Sequence, residues 1–93
     1  EEFVRQMIRS AQSDINRHIH TLEQAFANKE AETVMRAAHS IKGVSLTMRF
    51  NRLAELAMIL EEQMESGDFE LALASLNRLG EEWAIVVSLC EQM

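Results

Sequence analysis

The run Val34-Met35-Arg36-Ala37-Ala38-His39-Ser40-Ile41-Lys42-Gly43-Val44 carries the pattern from which the fold of this chain is read. Set on a helix at 100° per residue, Val34, Ala37, Ala38, Ile41 and Val44 gather on one side, and Glu32, Met35, Arg36, His39, Lys42 and Gly43 on the other. This split marks an amphipathic helix with its apolar stripe on a core, and it turns His39 towards solvent. Gly43 is out of place by propensity, because glycine inside a helix costs about 1 kcal/mol relative to alanine. It falls one turn after His39 on the same outward side, where close approach from outside would explain it.

Upstream, Val4, Met7, Ile8, Ala11, Ile15, Ile19, Leu22 and Phe26 recur at helical spacing and predict a first helix over Phe3 to Phe26. Its weakest part is Ser10 to Ser13, where a break into two helices is expected if one occurs. Ala27-Asn28-Lys29 reads as a polar turn with Asn28 as N-cap. The second helix then starts near Lys29, with Glu30 and Glu32 at its positive end, and runs to about Thr47. Arg49-Phe50-Asn51 is the next connection, with Asn51 capping a third helix whose stripe is Leu53, Leu56, Ala57, Leu60 and Met64. Ser66-Gly67-Asp68 supplies a glycine to end that helix and an aspartate to cap the fourth. The fourth runs on Phe69, Ala72, Leu73, Leu76, Leu79, Trp83, Val86, Val87 and Cys90, with Gly80 interrupting the pattern without ending it.

Four amphipathic helices with short connections pack most economically as an all-α, antiparallel up-and-down four-helix bundle. The 93 residues are expected to form one domain over 1–93, too small for a deep substrate cavity. There is no proline, only three glycines and 47% apolar residues, which suits helices. The single cysteine, Cys90, has no partner for an internal disulfide, and no signal peptide or apolar run near ~18 residues occurs. A reducing cytoplasmic setting is expected. The chain starts at Glu1 rather than methionine, as a fragment of a longer, membrane-anchored protein would.

A net charge of −6 argues against nucleic-acid binding, which draws its affinity from clustered Lys and Arg. No acidic residue occurs from Thr33 to Ala54, however, while Arg36, Lys42, Arg49 and Arg52 all lie there. One basic zone on an acidic molecule suggests attraction of an anion or of an acidic protein surface. A helix-turn-helix over Lys42 to Leu60, with Arg49, Asn51 and Arg52 on DNA, is the disfavoured rival because of the overall charge.

A neutral imidazole facing solvent has one nitrogen lone pair available to attack phosphorus or an acyl carbon. Were it to accept a phosphoryl group, Lys42 at i+3 would lie beside it to neutralise charge, and Gly43 at i+4 would keep that flank clear. His18 and His20 are two apart and point in different directions, so zinc is not expected. Asp14 and His18 at i,i+4 read as a surface pair, and Cys90 on the last apolar stripe reads as a small hydrophobe. No phosphate-binding glycine loop or kinase signature occurs, so ATP binding is not expected. No residue is assigned to a metal or a bound cofactor.

Ala38-His39-Ser40-Ile41-Lys42-Gly43 closely resembles the Ala-His-x-Leu/Ile-Lys-Gly signature of histidine phosphotransfer (HPt) domains, and Leu53 and Leu60-Glu61 keep that family's spacing. The resemblance implies a four-helix bundle acting as a phosphorelay intermediate. His39 would accept a phosphoryl group from a receiver-domain aspartate or a sensor histidine kinase and pass it to a response-regulator receiver. It further implies Lys42 as electrostatic partner, Gly43 as clearance, and Met35, Arg36 and Leu46 as docking surface, with Arg49 adding to the basic zone. The partner receiver would supply Mg²⁺, and the chain would belong to a larger sensor kinase or stand alone. In the chemotaxis-kinase branch a third-helix glutamate hydrogen-bonds the histidine. Glu61 is the candidate, since it and His39 are symmetric about Phe50 in an antiparallel pair. The family commonly has a glycine and a small residue where this chain has Arg49-Phe50, a departure that bears on partner choice. The alternative from the binding class is a helical docking or scaffold module without phosphotransfer.

Overall fold

The apolar stripes condense into four helices in the computed structural model, which describes residues 1–92; residue 93 of the expected domain lies outside the described residues. They are α1 (Glu2–Ala27), α2 (Ala31–Thr47), α3 (Asn51–Met64) and α4 (Phe69–Glu91), with no strand among the described residues. Successive helices pack on one another, whereas α1 and α4 meet only sparsely. No helix among the described residues is long and apolar enough to cross a membrane.

The core is built from the stripes. Ile15 and Leu22 of α1, Val34 and Ile41 of α2, Leu53 and Leu60 of α3, and Leu79 of α4 are fully buried. Each such side chain contributes about 2 kcal/mol of burial, which is what holds short helices that would be marginal alone. Phe26 and Phe69 meet edge to face, 5.2 Å between centroids, where the α1–α2 and α3–α4 turns come together. The Lys29 ammonium caps that pair, 4.9 Å from the Phe69 ring centre. Trp83 Nε1 donates to Asn16 Oδ1 at 2.8 Å and links α4 to α1 where their packing is thinnest.

Several local expectations are corrected. α1 runs unbroken through Ser10 to Ser13, because Ala11 and Ile15 on either side of the polar residues are buried and hold the helix down. Asn28 closes α1 as its C-cap instead of opening α2, Lys29 turns the chain with φ 59°, and α2 begins at Ala31 after Glu30. Asn51 is already the first residue of α3, preceded by Phe50, with no side-chain cap. Arg49, in the turn between α2 and α3, has φ 60°, a left-handed conformation costing a non-glycine residue roughly 1 kcal/mol. That is the same turn in which the chain departs from the glycine-bearing pattern it otherwise resembles.

The third turn follows expectation. Gly67 takes φ 73° past the end of α3, and Asp68 Oδ1 accepts from the Leu71 amide at 3.0 Å to cap α4. Gly80 sits inside α4 without breaking it.

Two stretches of the expected stripes are not core. Phe3, Val4 and Met7 are exposed, as is Leu73 of α4. At 1.5 Å per residue α1 is about 39 Å long and α2 about 26 Å, so α2 cannot cover the whole length of α1. Leu73 lies outside the buried set of α4, formed by Ala72, Ser75, Leu79, Trp83 and Val86.

Candidate functional site

Ile41 and Ala38 are fully buried and fix the rotation of α2, so His39 emerges on its exposed side with a side chain 67% exposed. Leu60, also fully buried, does the same for α3, and the next residue, Glu61, emerges in the seam between the two helices. Its carboxylate bridges two residues of α2. Oε2 lies 3.0 Å from His39 Nδ1, and Oε1 accepts from Lys42 Nζ at 3.1 Å.

An ionised carboxylate has only acceptors, so the short contact assigns the hydrogen to Nδ1 and leaves the lone pair of the neutral ring on Nε2. That nitrogen belongs to the exposed ring, while the half-buried carboxylate and ammonium sit behind it, at 21% and 26% exposure. The arrangement presents an exposed imidazole whose tautomer and ring orientation are held from the protein side. Lys42 does not take the outward position expected beside the histidine. It turns towards α3, because the seam offers its ammonium a carboxylate.

Glu32, Met35, Arg36, His39, Ser40 and Glu61 line a shallow depression of about 400 Å³. Met35 is half-buried against the core, and exposed Arg36 donates from Nη2 to Thr33 Oγ1 at 3.4 Å, a long contact. Leu46 is 57% exposed further along α2 and does not line the depression. Arg49 is in the α2–α3 turn and lines a separate depression with Phe50, Arg52 and Leu89. The structure therefore brings His39, Lys42 and Glu61 into contact, sets Met35 and Arg36 beside them, and leaves Leu46 and Arg49 apart.

Among the described residues a Cβ on Gly43 would meet nothing within 4 Å, so no packing among them requires glycine there. Gly80 is equally open. Openness alone therefore does not single out Gly43; its place one turn after His39 does.

Neither Ser40 nor Met58 carries a functional signal in the sequence, and Glu32 is placed there only at the positive end of α2. Ser40 falls between the two faces of α2 on the helical wheel, Glu32 reads as an ordinary first-turn acid, and Met58 stands outside the apolar stripe of α3, 41% exposed. Its place off that stripe is the sign in the sequence that Met58 faces outward.

Elsewhere, Asp14 pairs with Arg17 at 3.1 Å and not with His18. His18 is half-buried, and burial, then the Arg17 charge, holds its pKa below the usual value against the opposing pull of Asp14. Burial pushes the Cys90 thiol up, away from the reactive thiolate. Among the described residues no three of His, Cys, Asp and Glu are grouped as metal ligands.

Compared with known proteins, the chain matches the family model of the Hpt domain over residues 6–89. No curated protein and no solved structure gives a significant match.

Proposed function

From the premise that the chain belongs to the Hpt domain family, whose members carry out phosphotransfer in phosphorelay signalling with kinases and response regulators, we propose that His39 is the phosphoacceptor of a reversible relay between receiver domains. The observation that carries the proposal is the 3.0 Å contact from Glu61 to His39 Nδ1, which leaves Nε2 as the exposed nucleophile.

In the forward step the Nε2 lone pair attacks the phosphorus of a receiver's aspartyl phosphate, or of a nucleotide held by a kinase domain. The N–P bond forms as the O–P bond breaks, and the electron pair returns to the departing oxygen. The Nδ1 proton stays in its bond to Glu61, so the ring becomes cationic against a carboxylate and no base has to remove a proton. Lys42 holds that carboxylate by its other oxygen and keeps it oriented. The reverse step returns the phosphoryl group to a second receiver's aspartate. A receiver's own acidic residues would hold Mg²⁺, which would neutralise phosphoryl oxygens there.

In this reading the helices alternate up and down. Support comes from the contact between His39 and Glu61, residues equidistant from Phe50. By the same register Met58 stands level with Lys42, so exposed Leu46 and Met58 flank Gly43, with Met35 two turns back beside His39; a receiver docks on these apolar side chains and glycine leaves room for it. Arg36 and Arg49 draw an acidic receiver face. The setting is the cytoplasm, free-standing or within a sensor kinase.

The test is incubation with a panel of phosphorylated receivers and kinase domains. Wild type takes up a base-stable, acid-labile label, and His39→Gln takes up none. If wild type is labelled by no donor, a docking module without phosphotransfer remains.

A further inference from the structure

Lys42 is the cation that an HPt-like motif offers to the phosphoryl group, yet here its ammonium is held by Glu61 Oε1 at 3.1 Å. The other oxygen of the same carboxylate holds Nδ1 of His39. The exit directions of the two ring nitrogens diverge widely, so a phosphoryl group on Nε2 points away from Glu61 and from the ammonium bound to it. The opposite lip of the depression is formed by α2, where Arg36 stands one turn before His39. Arg36 is exposed, in no ion pair among the described residues, and restrained only by the 3.4 Å contact to Thr33.

Resting on the phosphotransfer reading, we propose that Arg36, and not Lys42, is the side chain that binds the phosphoryl oxygens once His39 is phosphorylated. A guanidinium suits the task because its fork of N–H donors matches two oxygens at once, while releasing the long Thr33 contact costs little. Glu32, one turn before Arg36 in the same depression, repels the phosphoryl group, so the guanidinium also screens that charge. The other charged or titratable groups near it are Lys42 on α2, Glu61 on α3, and His18 of α1, which shares a second groove with Arg36 and Ser40. Lys42 is thereby left to position Glu61.

The experiment phosphorylates the protein with phosphoramidate, which needs no partner: its P–N bond breaks, ammonia leaves, and the N–P bond to Nε2 forms. The His39 signal in ³¹P spectra is the one absent from His39→Gln, which separates it from His18 and His20. Its chemical shift is then followed against pH. A cation on the phosphoryl oxygens favours the dianion, so Arg36→Gln raises the midpoint of the second ionisation by about half a pH unit, the scale of an exposed ion pair. Arg36→Lys restores most of the shift, and Lys42→Gln moves the midpoint less than Arg36→Gln does. A midpoint that stays put in Arg36→Gln, or moves more in Lys42→Gln, overturns the assignment while leaving the relay intact. If wild type gives no His39 signal and receivers do not label it either, the relay and this assignment fall together.

Discussion

Glu61 Oε2 lies 3.0 Å from His39 Nδ1 on a carboxylate whose other oxygen is held by Lys42 at 3.1 Å. Because both oxygens are engaged, the carboxylate cannot rotate away without breaking a charge-assisted bond, and the imidazole inherits that orientation. Glu61→Ala is expected to slow phosphorylation of His39 about tenfold, equivalent to about 1.4 kcal/mol in the barrier. Glu61→Gln, which still accepts from Nδ1–H but lacks the charge, falls between. Labelling time courses with a phosphorylated receiver, run beside circular dichroism to verify the helices, measure this; equal rates in all three proteins would remove Glu61 from the reaction.

Gly43 and Gly80 form a matched pair, since both are exposed helical glycines with open space where a Cβ would go. Replacement by glutamine is expected to stabilise the fold in each case by roughly 0.5 kcal/mol, from helix propensity. Only Gly43→Gln is expected to slow transfer from a receiver, at least tenfold on the order of a mispositioned docking partner. Urea unfolding and transfer rates on the two variants decide it. A Gly80 variant slowed as much as the Gly43 variant would show that the helices, not the docking face, set the rate.

Ser45 is fully buried and its hydroxyl has no hydrogen-bond partner among the described residues. Desolvation without compensation disfavours the fold, so Ser45→Ala is expected to raise stability by about 1 kcal/mol. The shift of the urea midpoint at constant slope measures it. A loss of stability would mean that the hydroxyl is satisfied in solution.

His18 has a folded-state pKa held below the usual 6.5, first by burial and then by Arg17. The unfolded chain therefore binds the proton more readily than the folded one. Above pH 6.5 both states are neutral at this position and nothing is lost; as the pH falls below that value, stability declines. His18→Gln is expected to flatten the fall in Tm on acidification through this range. Identical slopes for variant and wild type would place the acid sensitivity in other groups.

The helices were legible in the sequence because their signal is local. Ile15, Leu22, Val34, Ile41, Leu53, Leu60 and Leu79 recur at helical spacing, and all are buried. The turn at Gly67-Asp68 was legible for the same reason: a left-handed glycine and a capping carboxylate act within three residues of themselves. The other two turns were misread at Asn28 and Asn51, because a polar residue near a helix end fits either end and the choice depends on which neighbours the turn packs against.

What the sequence by itself determined is an amphipathic second helix that turns His39 outward, one turn before a glycine that helix propensity disfavours. Tertiary structure decided what the histidine is bonded to. His39 and Glu61 are 22 residues apart, and their meeting depends on the register of α3 against α2, set by the packing of Ile41 and Leu60 and by the turn at Arg49-Phe50. The same packing turned Lys42 into the seam and left Phe3, Val4 and Met7 of α1 exposed. Periodicity reports which side of a helix faces the core, while partners across a seam depend on how two helices slide and rotate against each other.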